Sequence, residues 1–237
     1  MQKSHSFSWP RISAEGAAIV ISILLAFMID ASWQGRQETL EGKRLAGALA
    51  SEIIEHRKLL DLEIVDANEL IEKARTVLDV IAGIEPIESS ERGLAEIGNI
   101  FVMKRWHLTD NIYRQSVSSG KLLLIEDEEL RFALADYHSL LADLVALLGS
   151  IETQYYLEME PFMTKHTIYT EVAHSLFLTD LPAPPFTTDY DALARNKELW
   201  NLMALRLEID IAYLSNLERA REGGSTLSNA LLVYANQ

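Results

Sequence analysis

Histidines and carboxylates are the side chains of this sequence best suited to catalysis or metal binding, because the chain has no cysteine. The six histidines are His5, His56, His107, His138, His166 and His174. A ferritin-like di-iron bundle needs two Glu-x-x-His pairs and two further glutamates, and only Glu171 and His174 have that spacing. Glu52 and His56 are spaced to lie one helical turn apart. They could share a metal ion, although a solvated ion pair is the more common arrangement.

No other pattern in the sequence points to catalysis. It has no glycine-rich phosphate loop, no G-x-S-x-G and no H-E-x-x-H. The acidic run 126–129 lacks the ligand spacing of a calcium-binding loop and is typical of the first turn of a helix. We therefore predict no catalytic residues, no metal ligands and no cofactor, and we do not expect an enzyme.

The overall charge argues against a nucleic-acid partner. The 237 residues include 35 acidic and 21 basic side chains, which gives a formal net charge of −14. Such a chain would be repelled by a phosphate backbone, and basic residues do not cluster with aromatic ones. A hydrophobic content of 49% is sufficient for a sizeable core.

An apolar run near the N-terminus predicts a membrane-spanning helix. Fourteen uncharged residues separate Glu15 from Asp30, and extending the window to residues 12–33 reaches the length that a span requires. Trp9 and Trp33 then lie at the two membrane interfaces, where tryptophan is enriched. Pro10 and the candidate cap Ser13 predict that the helix starts near residue 13.

Two other interpretations fit a run of this length, namely a cleaved signal peptide and a buried core helix. We favour an uncleaved anchor, because the residues around Asp30 make a poor cleavage site. Arg11 favours a cytoplasmic N-terminus covering residues 1–11. Residues 34–237 would then form a periplasmic domain attached to the bacterial inner membrane by one span.

Small residues recur every fourth position within the predicted span. Ala14, Ala18, Ser22 and Ala26 form one stripe, and Asp30 continues it. Such stripes let helices approach closely in lipid, although alanines also occur simply as lipid-facing residues. We identify this stripe, together with Glu15 and Asp30, as the candidate functional part of the anchor. The two carboxylates could instead mark the membrane interfaces.

The remaining chain is predicted to be all-α, because apolar residues recur at helical spacing. Three long helices are expected over residues 38–82, 127–160 and 189–222. Their predicted ends are Gly83, Pro161 and Gly223-Gly224, and a last short helix would run from Ser225 to Tyr234. Shorter helices are expected after Ser89 and Thr109, and the proline-rich segment 181–186 is predicted to be a linker. Only residues 121–126 resemble a strand. The expected architecture is an antiparallel bundle of three long helices preceded by the membrane helix.

Two segments carry a resemblance to a known family. EGAAIVISILLAFMIDASWQGRQE (residues 15–38) resembles the opening of a family of bacterial proteins of unassigned activity, which have one N-terminal membrane helix followed by an all-helical domain. YRQSVSSGKLLLIEDEELRFALADYHSL (residues 113–140) is similar to the central segment of that family. The resemblance implies a membrane-anchored helical protein, and it implies no activity.

Our leading functional hypothesis is a membrane-anchored, non-enzymatic interaction or structural protein of the bacterial envelope. Its expected partners are the lipid bilayer and either a second copy or another membrane protein. The alternative is a sensor-like bundle that binds a ligand outside the cytoplasm. Because only about a dozen residues would remain in the cytoplasm, such a sensor would have to signal through a partner.

Overall fold

The fold is that of a computed structural model, which describes residues 9–84, 109–172, 182 and 184–237, with the backbone alone described for residues 9–18, 171 and 172. Its helices are α1 (Trp9–Ile81), α2 (Asn111–Ser118), α3 (Glu128–Gln154), α4 (Glu160–His166), α5 (Tyr169–Val172), α6 (Tyr190–Leu193) and α7 (Lys197–Ala235). The described residues contain no strand. The all-α prediction is therefore confirmed for them.

Helix α1 is one unbroken helix of 73 residues, about 110 Å long at 1.5 Å per residue. It already includes Trp9 and Pro10, so the predicted start near Ser13 is wrong. Proline is tolerated in a first turn because that turn does not need its N–H. Gly83 ends α1 as predicted: it adopts φ 73°, and the N–H of Ile84 donates to the carbonyl of Asp79 at 3.0 Å.

Helix α2 runs back along α1 and ends in a tight turn. Gly120 adopts φ 72°, and residues Lys121–Leu124 then form a single 3-10 turn rather than the strand that their composition resembles. This turn packs directly on Gly42 of α1. A Cβ placed on Gly42 would overlap the carbonyl oxygen of Leu124, so the contact requires glycine at this position.

Helix α3 begins where the sequence predicts and ends in an unexpected way. The side chain of Asp127 caps it by accepting the N–H of Leu130 at 3.1 Å. After Gln154 the helix widens into a π-helical turn, Tyr155–Met159, before α4 continues with Pro161 in its first turn. A wider turn accommodates the proline ring, which would clash with the preceding turn of a regular helix.

The third long helix, α7, differs most from the prediction. It begins at Lys197, after the capping residue Asn196, whose side chain accepts the N–H of Glu198 at 2.8 Å, and it continues through Gly223-Gly224 to Ala235. The predicted break at these glycines and the predicted helix starting at Ser225 are therefore wrong. Gly224 serves close packing instead, since a Cβ there would lie 3.1 Å from the ring of Tyr137 and 3.3 Å from Ile53.

The three long helices pack around two apolar clusters. The first is closer to the N-terminal part of α1 and includes Leu49, Ile53, Leu134, Tyr137 and Leu217. The second includes Ala74, Val77, Met159, Phe162, Met163, Leu199 and Met203. From the first cluster to the second, residue numbers rise along α1 and α3 but fall along α7. Helix α7 is thus antiparallel to the other two, as expected for an antiparallel bundle.

A buried polar layer separates the two clusters. Arg206 and Asp210, one turn apart on α7, are each only 2% exposed, and the Nε of Arg206 lies 2.9 and 2.8 Å from the two oxygens of Asp210. Burial raises the pKa of Asp210, while the adjacent guanidinium opposes this shift. Gln154 of α3 is also buried and donates to the carbonyl of Leu202 at 3.5 Å.

Gly42 provides a test of this architecture. We expect Gly42→Ala to lower the free energy of unfolding by about 1–3 kcal/mol, because a backbone carbonyl occupies the space that the methyl group needs. Chemical denaturation of the full chain in detergent, followed by circular dichroism, measures this loss.

Gly149 is the matched control. It lies within α3 and is exposed, and a Cβ placed on it would meet no atom within 4 Å. Gly149→Ala should therefore stabilise the protein by roughly 0.5–1 kcal/mol through its higher helix propensity. Equal effects of the two substitutions would show that the turn does not pack on α1 as described.

Candidate functional site

The N-terminal part of α1 exposes an apolar surface that nothing in the described fold covers. Between Ile19 and Trp33 the large apolar side chains are 50–70% exposed, and none is buried. This part of α1 is long and apolar enough to cross a membrane, a property that a signal sequence shares. The alternative of a core helix does not fit residues 19–33, because no described part of the bundle encloses them.

A second helical stretch, Glu128–His166, also meets the criteria of length and apolar content for a span. It comprises α3, the π-helical turn and α4. Its apolar residues at helical spacing, such as Leu134, Leu141 and Leu144, are buried against the rest of the bundle. Only 22% of its apolar window is buried, against none of the window in the N-terminal part of α1, so of the two stretches only the latter is exposed all round.

The predicted residues of the anchor all lie on α1. Ser22, Ala26 and Asp30 are exposed, and Trp33 is 63% exposed. Trp9, Ala14, Glu15 and Ala18 lie in the part of α1 for which only the backbone is described. The spacing of the stripe is retained because α1 is regular there. Its role in packing stays a prediction.

Glu52 and His56 do not form the solvated ion pair considered from the sequence. The carboxylate of Glu52 accepts the N–H groups of Ile112 at 2.9 Å and Tyr113 at 3.2 Å. Glu52 therefore caps the N-terminus of α2 from a different helix, a favourable position for a negative charge. Asp110, the residue preceding α2, pairs instead with Arg114 at 2.8 Å.

His56 is buried, with 1% of its surface exposed, and it is held on both sides of its ring. Its Nε2 lies 2.9 Å from the carbonyl oxygen of Thr109, and its Nδ1 lies 3.4 Å from the hydroxyl of Tyr137. A carbonyl oxygen only accepts, so Nε2 carries the proton in this arrangement. Nδ1 is then free to accept from the Tyr137 hydroxyl.

His138 lies beside His56 but has few polar contacts. Its ring stacks on Tyr113 with a centroid distance of 3.5 Å and meets the ring of His56 edge-on at 6.4 Å. Its Nε2 is buried without a hydrogen-bond partner. Burial and, to a smaller extent, the nearby His56 lower the pKa of His138 to about 4, although Asp110 opposes the shift. His138 is therefore neutral near pH 7.

Tyr137 completes this group of aromatic rings. It is 2% exposed, and burial raises its pKa well above the usual value, so the phenol keeps its proton. The four rings hold one another through stacking and through the hydrogen bond between Tyr137 and His56. We therefore describe His56, Tyr113, Tyr137 and His138 as an aromatic cluster that joins α1, α2 and α3.

The remaining residues considered for metal binding do not form a centre. Within the described ranges, no three histidine or carboxylate side chains lie close enough together to hold a metal ion. His166 stacks on Phe162 with a centroid distance of 4.6 Å. His5, His107 and His174 lie outside the described residues, as does the side chain of Glu171. The absence of a metal centre among the described side chains therefore does not concern the pair of Glu171 and His174.

A shallow cleft of about 330 Å³ lies between α1, α2 and the 3-10 turn. Glu41, Arg44, Gln115 and Lys121 provide its polar lining. The ammonium group of Lys121 contacts the carboxylate of Glu41 at 2.5 Å across the cleft. Its mixed charges suit a small polar or zwitterionic molecule better than an apolar one.

Sequence reasoning missed the aromatic cluster and the polar layer for different reasons. The sequence places Tyr137 correctly on the buried side of α3, but its pairing with His56 depends on how the helices are aligned. The polar layer has a signal in the sequence, because two charged residues, Arg206 and Asp210, occur within an otherwise uncharged series at helical spacing. The series comprises residues 199, 203, 206, 210, 213 and 217. Of the other apolar residues of α7, Trp200 and Ile211 are 39% and 45% exposed, whereas Leu207 and Leu214 pack partly buried against the two clusters.

No protein-family model, curated protein or solved structure matches this chain. The resemblance to a family of membrane-anchored helical proteins therefore stays a prediction. The all-α bundle and its exposed apolar N-terminal helix rest on the structure itself.

The low pKa of His138 predicts acid sensitivity. Its folded-state pKa is about 4, below the ordinary value of 6.5, so the unfolded chain binds the proton more readily between these values. The stability that depends on a neutral His138 is complete above about pH 6.5 and is lost as the pH falls toward about 4. Melting temperatures of the full chain in detergent, measured across this range, should fall accordingly.

His138→Phe removes the titrating group and keeps a ring to stack on Tyr113. We expect the melting temperature of this variant to fall less steeply over the same pH range. Phe132→Leu, which changes an exposed side chain of the same helix, should retain the slope of the original protein. An unchanged slope in His138→Phe would contradict the assignment of the acid sensitivity to this residue.

Proposed function

We propose that this chain is a membrane-anchored, non-enzymatic interaction or structural protein of the bacterial envelope. In this proposal residues 12–33 span the inner membrane, and residues 1–11 remain in the cytoplasm. The acidic helical bundle lies in the periplasm, where it docks on a second copy or on another membrane protein. No cofactor or nucleic acid takes part.

The observation that carries the proposal is the exposure of the apolar residues between Ile19 and Trp33. Exposure of such a run to water costs a free energy of about 25 cal/mol for each Å² of apolar surface. Lipid or protein must therefore shield it from water. The bundle does not provide this shielding within the described residues. A bilayer does, because a regular α-helix satisfies its own backbone hydrogen bonds in lipid.

The continuity of α1 supports a structural role for the bundle. The same helix contains the candidate span and contributes Leu49, Ile53 and Leu60 to the core. The bundle is therefore held at a fixed distance from the proposed anchor, because α1 has no break at Gly35. The aromatic cluster joins α1, α2 and α3, which supports a structural role for this part of the bundle.

The anchor is tested by introducing charge into it. Leu24→Asp combined with Leu25→Asp places two carboxylates near the centre of the proposed span. Each carboxylate raises the free energy of membrane insertion by roughly 2.5–3.5 kcal/mol. We expect the original protein to stay in the membrane pellet after carbonate extraction, with its N-terminal residues intact by mass spectrometry. The double variant should move to the soluble fraction.

Leu205→Asp is the control, because Leu205 is an exposed leucine of the bundle. This variant should remain in the pellet, and protease added to spheroplasts should digest its bundle as it does that of the original protein. Release of the unmodified full-length protein by carbonate would contradict the proposal. Loss of the N-terminal residues in the cell would identify a signal sequence instead.

The second candidate is a sensor-like ligand-binding bundle, and the polar cleft lined by Glu41, Arg44 and Lys121 is the observation that favours it. A small zwitterionic ligand bound there would raise the melting temperature of the bundle. Screening zwitterionic compounds by thermal shift, with Arg44→Gln as the comparison, tests this candidate. A shift in the original protein that Arg44→Gln abolishes would favour the sensor. No shift with any compound would leave the interaction protein preferred.

A further inference from the structure

The 3-10 turn Lys121–Leu124 carries an exposed leucine at the end of the bundle that is nearer to the proposed span. Leu123 is 73% exposed, whereas Ile125 is buried and Leu122 packs partly buried against the first apolar cluster. Single exposed leucines are common on protein surfaces, so exposure alone does not identify a contact. The position of Leu123 in the fold is what distinguishes it.

The chain reverses its direction at the 3-10 turn. Helix α2 runs toward the proposed span, because its first N–H groups bind Glu52, whereas Lys121, just after its end, pairs with Glu41 at 2.5 Å. Helix α3 then runs away from the span, parallel to α1. Leu123 lies midway between the end of α2 and the start of α3. It is therefore at the tip of the reversal, on the side of the span.

Contacts with α1 and α7 hold the 3-10 turn in place. Its backbone packs on Gly42 of α1. Just after the turn, the carboxylate of Glu126 accepts the hydroxyl of Thr39 at 2.9 Å, and the backbone N–H of Glu126 donates to the hydroxyl of Tyr234 at 3.0 Å. The height of the turn along α1 is therefore fixed.

This height is close to that of the lipid surface. Thr39 and Gly42 follow Trp33 by six and nine residues. At a rise of 1.5 Å per residue, they lie about 9–14 Å beyond the proposed interface. The headgroup layer extends about 5–8 Å beyond the hydrocarbon core on each side of a bilayer. The end of α7 lies further away, since Ala235 is beside Gly47. Of the described segments that pack on α1, the turn is thus the nearest to the lipid.

A tilt of α1 brings the turn to the headgroups. Membrane helices are tilted by about 20° on average, and an element packed on a helix lies about 8–10 Å from its axis. A tilt of this size toward the turn lowers it by roughly 3 Å, which brings Leu123 within reach of the headgroups. Lys121 is the only charged residue of the turn, and its positive charge does not oppose an approach to lipid phosphates.

We propose that the 3-10 turn is a second contact with the membrane, at which Leu123 inserts among the headgroups of the leaflet that faces the bundle. This inference rests on the proposed membrane anchoring, since α1 brings the turn to the bilayer. One leucine is sufficient because the anchor holds it beside the lipid at a high effective concentration. The contact sets the direction in which α1 tilts, so the bundle leans toward the side of the turn.

Single cysteines test this contact, because the chain contains none of its own. The full-length Leu123→Cys variant is labelled with a nitrobenzoxadiazole fluorophore and reconstituted in vesicles of phosphatidylethanolamine and phosphatidylglycerol. Some of the lipids carry a nitroxide on the headgroup, which quenches the fluorophore at short range. We expect strong quenching at this position, measured as the loss of fluorescence relative to vesicles without nitroxide.

Leu40→Cys is the matched control for height. Leu40 is 40% exposed and follows Trp33 by seven residues. At about 100° per residue it points about 160° away from Gly42, and thus away from the turn. A bundle that leans toward the turn lifts Leu40 from the membrane, so we expect Leu123→Cys to be quenched about threefold more strongly. Equal or stronger quenching at Leu40→Cys would overturn the proposal.

Leu157→Cys is the matched control for exposure. Leu157 is 72% exposed, but it belongs to the π-helical turn beside the second apolar cluster, at the other end of the bundle. Its probe should not be quenched. Quenching at Leu157→Cys as strong as at Leu123→Cys would show that the signal does not report the contact, and would overturn it.

A second arm leaves Leu123 unlabelled. Leu123→Asp should raise the quenching of the probe at Leu40→Cys about twofold, because a carboxylate is repelled by the anionic surface and the tilt that lifts Leu40 is lost. Leu157→Asp should leave that quenching unchanged. The same quenching in both variants would contradict a contact through Leu123.

A probe within the proposed span separates this outcome from that of the anchor. Ile29→Cys replaces an exposed residue of the apolar segment, and lipids with a nitroxide on the acyl chain should quench its probe. Quenching at Ile29 without an excess at Leu123 over Leu40 would reject the turn contact and keep the anchor. No quenching at Ile29 would reject the anchor, and with it the contact that depends on it.

Discussion

The unbroken backbone hydrogen bonding of helix α1 is the constraint on which the rest of this molecule depends. One regular helix contains both a segment whose apolar side chains are exposed all round and a segment whose apolar side chains form a core. The two segments cannot rotate relative to each other without breaking that ladder. Whatever covers Ile19–Trp33 therefore also fixes the orientation of the bundle.

The bundle is held together by close contacts between helices at two glycines, and by hydrogen bonds between polar groups of different helices. Gly42 lets the 3-10 turn approach α1 more closely than any side chain would permit, and Gly224 allows a close contact with Tyr137 of α3. Glu52 caps α2 from α1, and His56 links α1 to Thr109 and Tyr137. These interactions position α2 between the anchor end of the bundle and its centre, which explains why the short helix is well defined without a large apolar surface of its own.

Much of the fold follows from local patterns that a sequence displays directly. Gly83 after the apolar spacing of α1, Asp127 before α3 and the regular leucines of both helices identify two of the long helices correctly. The third helix differs from its prediction in two respects, its end and its buried face. Gly223-Gly224 is typical of a helix end, yet Gly224 packs closely against Tyr137, a long-range contact that no local pattern reveals.

The buried face of α7 differs from the prediction because it includes Arg206 and Asp210. Charged residues ordinarily mark a solvated face, so apolar spacing alone does not place Arg206 and Asp210 in the core. The aromatic cluster was beyond sequence reasoning for a similar reason, since its members come together only through the alignment of three helices. In contrast, the exposed apolar segment was recognisable from composition alone, because no periodic polar residue interrupts it.

The polar layer has a consequence for how the helices are aligned. Leucine-lined helices can slide past one another by a turn at little cost, because one leucine resembles the next. In this bundle such a slip of α7 would move the guanidinium of Arg206 or the carboxylate of Asp210 against apolar residues of the neighbouring helices, such as Met159 and Phe162. Because a buried charge in apolar surroundings is strongly unfavourable, the alternative alignments are excluded and a single register is selected.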